Sequence, residues 1–447
     1  MKITIHRGKN QIGGCITEIA TAHNRILIDL GQNLPDNEGV VCDDLANPDA
    51  VAKLTKGIDA IFYTHYHGDH VDLYRYVPGS VAQYIGETAK KVMLAKSRRL
   101  AKAPRKTGVT QEDIKKLETF KTFQKKDRIT IGDIVVIPYF VSHSACDAFM
   151  FVIEADGKRV LHTGDFRGHG FLSKKLYAVI DTYVLEFGRK KIDILITEGT
   201  MLSRLDERVQ HEHDVREKFK EIMQQYKNVF VMCSSTDLER LASVYDAYLK
   251  TGNGRPFVCD TYQKDVLEIF SETAGQCSDL FDFSREKEIY DFRKTNHQLI
   301  HRIKDKGCCM LIRCTQKFND WLDDTLLPQL NAEETVFIFS QWQEYINPDS
   351  RHAKQDYLAL AKKFTHIEKV HTSGHASADC LAEVCNRVNP VEGIIPIHSE
   401  HAEEFRNLAI SDELKSRIIT VIPNQPKPPK NPESPEHTPQ PYSPSDS

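Results

Sequence analysis

Through the first half of the chain, apolar residues come in short blocks separated by Gly, Asp and Asn, the pattern of strands covered on one or both faces. Arg25 to Leu30, Asp59 to Tyr63, Ile129 to Val141, Phe149 to Glu154, Arg159 to His162 and Ile192 to Thr197 read as strands. Asp156-Gly157, between two of them, is a hairpin turn signal. After residue 205 the period lengthens. Val209 to Gln225, Asp237 to Leu249 and Asp291 to Lys304 predict helices, alternating with strands at Asn228 to Cys233, Gly307 to Cys314 and Thr335 to Ser340. That alternation predicts a parallel sheet flanked by helices. Lys369-Val370-His371, Gly393 to Ile397 and Arg417 to Ile422 then return to short strands, as if a first unit were completed after an insertion. The expected units are therefore 1–205, an inserted 206–370 and a completing 371–422. Segment 423–447 is Pro, Ser, Glu and Lys with almost nothing to bury, and is expected to be disordered.

Composition narrows the class. A chain of 447 residues with 40% hydrophobic content supports two or three domains with substantial cores. No apolar run reaches the roughly 18 residues of a membrane span, and Met1-Lys2-Ile3-Thr4-Ile5 alternates like a strand, so no membrane partner and a cytoplasmic location are expected. The 11 cysteines include no Cys-x-x-Cys pair and read as reduced core residues. Net charge is only −4, but between Glu87 and Lys106 eight basic residues face a single acid, with Val92, Leu94 and Leu100 giving an apolar side. That tract reads equally as a solvated helix face or as a track for a phosphate backbone.

The densest chemistry is Thr64-His65-Tyr66-His67-Gly68-Asp69-His70. Ile61-Phe62-Tyr63 before it is a buried strand, so His65 and His67, two apart on its extended end, point the same way and can grip one cation. Gly68 lets the chain turn, so Asp69 and His70 address a second cation from another side. A two-metal centre needs more ligands, and strand ends supply them. His143 completes three imidazoles on the first ion, and Asp165 can bridge both ions. His398 joins Asp69, His70 and Asp165 on the second, while the buried Asp29 orients a ligand. Nitrogen-rich ligation favours two Zn2+, with Mn2+ the alternative.

On these motifs the chain resembles the β-CASP nucleases of the metallo-β-lactamase fold, most of all the ribonuclease J group. The resemblance covers nearly all of residues 1–422. It implies an α/β fold, a metallo-β-lactamase αββα sandwich with an inserted β-CASP α/β domain. It places the family motifs at Asp29, at His65 to His70, at His143 and at Asp165, and the β-CASP signatures at Glu198, His375 and His398. A His at the third signature is typical of RNA-processing members, whereas DNA-repair members usually carry Val. Met232-Cys233-Ser234-Ser235-Thr236, opening a helix with Arg240, resembles a phosphate pocket, a role a helix N-terminus suits; a plain Ser/Thr cap is the alternative. Ser234, Ser235, Arg240, Ser373 and His375 are the expected substrate contacts. Two departures stand out: ribonuclease J usually has a further C-terminal domain, and Ser340-Gln341-Trp342-Gln343 does not follow the family wording.

The expected activity is hydrolysis of single-stranded RNA, endo- or 5′-exonucleolytic, with a homodimer left open. Two cations about 3.5 to 4 Å apart would share a water and bring its pKa from about 15.7 towards 7. Asp69, His375 and Glu198 are the expected catalytic residues, His375 giving a proton to the departing 3′-oxygen and Glu198 holding its tautomer and charge. Tyr66, Tyr139 and Trp342 could stack bases, although core packing is the commoner fate of such rings. The alternatives are a hydrolase of a small ester, thioester or cyclic nucleotide, a DNA nuclease of the same family, or a binding subunit without catalysis.

Overall fold

The computed structural model describes residues 1–420 apart from 37–39, 103–107, 205, 206, 208, 253, 286–288 and 292–296. The expected tail 423–447, positions 421 and 422 of the last expected strand, and Arg105 and Lys106 of the basic tract lie outside the described residues. Among the described residues, no helix is long and apolar enough to cross a membrane.

A first sheet takes β1 (Lys2–Arg7), β2 (Ile16–Ala20), β3 (Arg25–Ile28), β4 (Ala60–Phe62), β5 (Ala82–Gly86) and β6 (Lys121–Phe123) in sequence order. The chain then builds β7 (Ile129–Ile131), β8 (Ile134–Val141), β9 (Ala148–Ala155), β10 (Lys158–His162) and β11 (Ile194–Glu198) of a second sheet. The single strand expected over Ile129 to Val141 is instead the β7/β8 hairpin, because Gly132 adopts φ +56 and turns the chain between them. The Asp156-Gly157 turn forms as expected, both residues left-handed (φ 51 and 73), which matches the twist of β9 and β10.

Six parallel strands form a third sheet: β12 (Asn228–Cys233), β13 (Phe257–Cys259), β14 (Ile289–Asp291), β15 (Cys308–Leu311), β16 (Thr335–Ser340) and β17 (His366–Lys369), in the order β14-β13-β15-β12-β16-β17. β18 (Gly393–Ile397) then returns to the second sheet, parallel to β11, so the third sheet is an insertion in the second. The strand expected at Lys369 to His371 ends at Lys369. The segment expected as a helix from Asp291 opens as β14, with helix over His297–Lys306. Arg417 to Thr420 gives only an isolated bridge of Ile418 to Ile394 rather than a strand.

Apolar side chains between the first two sheets, such as Ile26, Ile28, Phe62, Phe123, Phe149, Phe151, Ile196 and Ile395, make the sandwich interior. On the outer side of the second sheet, Leu381, Val384 and Cys385 of an outer helix pack against Val141, Met150 and Val152. On the outer side of the first sheet, α1 (Glu87–Leu100) presents Ala89, Val92 and Met93. This gives the αββα layering, and the same outer core runs on without a break into α2 (Glu212–Gln225), α3 (Leu238–Thr251) and the third sheet. The basic side of α1 is largely paired: Arg98 meets Glu118 at 2.9 Å, Arg99 meets Asp265 at 2.6 Å and Lys91 meets Glu87 at 3.0 Å. Such exposed pairs mark a solvated helix face.

Tyr66 joins the sandwich to the insertion. Buried, it donates its hydroxyl to Thr236 O at 2.7 Å and accepts from Cys146 N at 2.7 Å, so it is a clasp and not a stacking platform for a base. Tyr66→Phe removes the partner of the buried Cys146 N and of the half-buried Thr236 O and should lower unfolding stability by about 1–3 kcal/mol. Denaturant titration of the variant checks this, and wild-type stability would show that water replaces the clasp.

Candidate metal centre

The centre is assembled from strand ends of both sandwich sheets. β4 runs on extended past Phe62, then turns at Gly68 into one helical turn, Gly68–Val71. His65 and His67 leave the extended part together, their rings 4.7 Å apart. The turn is pressed against the loop after β3: Leu30 N donates to His70 O at 2.8 Å and Gln32 N to Gly68 O at 3.0 Å. Only glycine fits at Gly31, where a Cβ would lie 1.6 Å from Asp69 O. Asp29, at the end of β3 with φ 62, accepts from Thr64 N at 2.7 Å and from His70 Nδ1 at 2.8 Å. It therefore fixes the His70 ring with Nε2 turned inward, the orienting role a buried carboxylate plays behind a metal-binding histidine.

From the second sheet come His143 after β8, Asp165 after β10, Glu198 at the end of β11 and His398 after β18. His143 Nδ1 donates to Gly374 O at 2.7 Å, which leaves Nε2 3.2 Å from His67 Nδ1. Asp165 Oδ2 is the hub, 3.1 Å from His70 Nε2, 3.6 Å from His398 Nε2, 3.8 Å from His375 Nδ1, 3.9 Å from His143 Nε2 and 4.0 Å from His65 Nε2. Asp69 Oδ2 is 3.1 Å from His398 Nε2. All seven expected ligands thus converge.

Whether a cation suits this cluster is tested by its unmatched atoms. His65 Nε2, His70 Nε2 and Asp165 Oδ1 are buried and have no hydrogen-bond partner among the described residues. Donor atoms of His65, His67 and His143 lie within 4.8 Å of one another, as do those of His65, His70 and Asp165 and those of Asp165, Glu198, His375 and His398. Imidazole nitrogens and carboxylate oxygens at such separations fit a divalent cation, and native proteins rarely leave buried polar atoms unmatched. The cluster is the candidate metal-binding site. Burial, helped by neighbouring imidazoles, pushes His65 and His143 well below the usual histidine range. Burial also holds His67 near 4. These three rings are neutral at physiological pH, the form that ligates. Asp165 is held well below the carboxylate range: burial opposes this, but His398 and His70 overcome it.

Glu198, fully buried, accepts from His375 Nδ1 at 2.9 Å through one oxygen and from Phe166 N at 3.0 Å through the other. Burial alone would lower the His375 imidazole, yet the adjacent Glu198 carboxylate raises it above its ordinary value. His375 remains partly open to solvent at the rim.

Other expected contacts lie elsewhere. Arg240 is buried, its guanidinium engaged by Glu212 at 2.8 and 3.1 Å, Ser340 Oγ at 2.7 Å and Thr372 O at 3.2 Å, so its donors face the interior and not a substrate. Ser373, also buried, uses its hydroxyl within its own surroundings, accepting from His375 N at 3.1 Å and donating to Met201 Sδ at 3.1 Å. Neither the phosphate pocket nor a Ser/Thr cap forms at α3, because Asp237 is its N-cap, accepting from Arg240 N at 3.2 Å, and its carboxylate stands where an anion would bind. Ser234 and Ser235 remain half-buried in the loop before it. Tyr139 stacks on Tyr183 and donates to its carbonyl at 3.3 Å. Trp342 is covered by Arg204, whose guanidinium carbon is 3.9 Å from the ring centre, beside a cavity of about 850 Å³.

Sequence reasoning missed four contributors. Cys15 Sγ lies with His70 and His398 in a fourth donor group, although a lone Cys after two glycines gave no signal. Thr200 Oγ1 is 2.7 Å from His398 Nδ1, and stands in a motif read only for its Glu. His162 is buried with Nε2 unmatched, and Arg167 is buried two residues after Asp165.

Asp29→Asn keeps the shape but gives up the charge behind His70. Metal affinity, read by competition with a chromophoric chelator, should fall by roughly 10- to 100-fold; unchanged affinity would remove Asp29 from the ligand-orienting set.

Comparisons with known proteins agree with this geometry. Residues 24–218 match the beta-lactamase superfamily domain and residues 362–422, from the last strand of the third sheet onward, the Zn-dependent metallo-hydrolase RNA specificity domain. Ribonuclease J of Helicobacter pylori is 25% identical over 421 residues, covering 92% of this chain and 58% of that protein, so the chain spans little more than half the length of this curated relative. Ribonuclease J 2 of Streptococcus pyogenes is 23% identical over 234 residues, covering 52% of this chain and 40% of the relative. A crystal structure of a protein of unknown function from Enterococcus faecalis shares the fold with a TM-score of 0.62 at 21% identity, covering 90% of this chain and 95% of the other. By these matches the chain carries a beta-lactamase superfamily domain and a Zn-dependent metallo-hydrolase RNA specificity domain, and it is similar to ribonuclease J-like proteins.

Proposed function

We propose that this protein is a metal-dependent ribonuclease that hydrolyses phosphodiester bonds in single-stranded RNA. One observation carries the reading: seven His and Asp donors close around buried, unmatched lone pairs, with the Glu198–His375 pair on their rim. In this reading His65, His67 and His143 would hold one divalent cation and Asp69, His70 and His398 another, with Asp165 available to either; Zn2+ suits the nitrogen-rich set and Mn2+ is the alternative. Bound divalent cations acidify water and neutralise charge that grows on phosphoryl oxygens.

The chain's own residues do the rest. Asp29, Gly374 O and Thr200 take the second nitrogens of His70, His143 and His398, so the rings meet a substrate already oriented. Asp69 and Asp165 offset part of the positive charge but leave the centre attractive to a phosphodiester. With Nδ1 committed to Glu198, His375 presents Nε2 to the substrate. Kept protonated by that carboxylate, it donates a proton to the departing 3′-oxygen. Glu198 and the shared Asp165 act as the fixed charges that maintain this state.

A substrate with unpaired bases is favoured by position. The rim lies where the sandwich meets the inserted sheet, a seam closed by Tyr66 on one side and by Arg204 on Trp342 on the other. Half-buried Ser234 and Ser235 at the same seam are the remaining candidates for phosphate contacts. Residues 1–205 with 371–422 form the catalytic sandwich in this reading, and 206–370 the substrate-holding insertion.

The test is direct. Purified protein with 5′-labelled single-stranded RNA and Zn2+ or Mn2+ should give a product ladder that chelator abolishes, with matched DNA and a soluble thioester cut far more slowly; faster turnover of either of those would overturn the RNA assignment. His375→Ala should retain metal while kcat falls by about 10²- to 10⁴-fold, the usual worth of a general acid. Undiminished cleavage by a folded, metal-loaded His375→Ala protein would end its role as proton donor.

A further inference from the structure

The contact between sandwich and insertion behind the centre is charged and completely buried. Arg167, two residues after Asp165, places Nη2 3.2 Å from Asp237 Oδ1 and 3.4 Å from Glu239 Oε1, and Nη1 3.7 Å from Glu212 Oε2. Asp237 and Glu239 start α3 and Glu212 starts α2, both in the insertion, whereas Arg167 belongs to the sandwich. Arg167 and Glu212 are 0% exposed and Glu239 1%.

This cluster touches the two loops that bring His143 and Asp165 to the centre. Ser142, next to His143, donates its hydroxyl to Glu239 and receives Arg167 Nε at 3.3 Å, while its carbonyl receives Arg167 N at 2.7 Å. The His143 and Asp165 loops are thus tied to one another through Arg167 and to the insertion through Glu239. At the far end, Arg240 holds Thr372 O, three residues before His375, at 3.2 Å. The packing leaves no slack: a Cβ on Gly170 would come within 2.3 Å of Ser142 Oγ and 2.5 Å of Glu239 Oε2. Stability alone does not account for such an arrangement, because apolar replacement of a buried ion cluster is often neutral or stabilising. Fixed geometry is what a planar guanidinium adds here, with Nε donating to Ser142 and Nη2 to Asp237, although Nη1 has no hydrogen-bond partner among the described residues.

We propose that Arg167 and Glu239 are positioning residues of the metal centre, setting the separation of His143 and Asp165 by locking both loops to the first turn of α3. Docking of the insertion is then part of the centre's geometry and not only a means of holding substrate. The proposal rests on the reading of this centre as a metal-dependent hydrolase.

The test uses the full chain loaded with Co2+ as a spectroscopic probe. Arg167→Lys keeps a charge but cannot hold Ser142 and Asp237 from one planar group. It should change the visible absorption of the bound Co2+, weaken the looser Co2+ site about 10-fold, the lower end for a lost supporting contact, and lower kcat on single-stranded RNA about 10-fold with KM within twofold. Glu239→Gln, which keeps an acceptor for Ser142, should recover most of the spectrum and of kcat, whereas Glu239→Ala should not. If Arg167→Lys fails to fold, Ser142→Ala removes a single hydroxyl and should show the same spectral change in smaller degree. Variants that lose thermal stability while Co2+ spectrum, Co2+ affinity and kcat per folded molecule stay at wild-type values would overturn the proposal. A wild-type protein that takes up no Co2+ would instead overturn the metal reading beneath it.

Discussion

Everything at the centre depends on imidazole nitrogens and carboxylate oxygens crowded into one largely buried cluster. His67 Nδ1 and His143 Nε2 approach to 3.2 Å, and Asp165 Oδ2 has five imidazole nitrogens within 4.0 Å. Neutral His67 and His143 can share one proton across their gap, but His65 Nε2, His70 Nε2 and Asp165 Oδ1 keep no hydrogen-bond partner among the described residues, and each buried unmatched atom costs about 1–3 kcal/mol. A divalent cation would match those atoms. The backbone carries further strain towards the same end: Asp29 and His398 are both left-handed, with φ 62 and 50, at the strand ends from which they reach inward. Such conformations cost of order 1–3 kcal/mol and persist where the surroundings over-determine them.

The sheets supply that over-determination. β10, β11 and β18 are parallel and adjacent, with His162 opposite Ile196 and Glu198 opposite Ile397. Asp165, Glu198 and His398 therefore emerge along one edge at heights fixed by backbone hydrogen bonds. β3 and β4 do the same in the opposing sheet, where Ile28 pairs with Phe62 and brings Asp29 beside Thr64. Because the two edges face across the sandwich, ligands separated by more than three hundred residues, as Asp69 and His398 are, need no long loops to meet.

That logic explains what could be read in the chain. The strands at Arg25, Asp59, Ile192 and Gly393 declared themselves as apolar runs, and a His or Asp placed just beyond such a run is carried to the sheet edge. So the candidate ligands were legible from the strands, whereas Glu198 and His375 came only with the family resemblance. Arg240 and Ser373 were misread for the converse reason. A polar residue near a motif looks like a contact, and nothing in a periodic pattern tells a guanidinium facing substrate from one enclosed by Glu212 and Ser340. Arg167, Glu212 and Glu239 were invisible because their partners lie on other elements, and buried charge follows no sequence period. Gly132 at φ +56 split one expected strand into two, a local conformational choice that overrode a continuous apolar run.

The anchoring of the outward nitrogens decides when the site becomes ordered. His70 is held by Asp29, His143 by Gly374 O, His398 by Thr200 and His375 by Glu198, and each anchor is itself buried or part of the backbone. Four side chains are therefore ordered as the protein folds, so a cation or substrate that arrives later does not have to immobilise them. Had these rings been free to rotate, each would have lost its rotamer entropy on binding, a penalty of order 0.5–1.5 kcal/mol. The stability given up to unmatched lone pairs and left-handed strand ends is the counterpart of that advantage: strain accepted during folding becomes affinity at the centre.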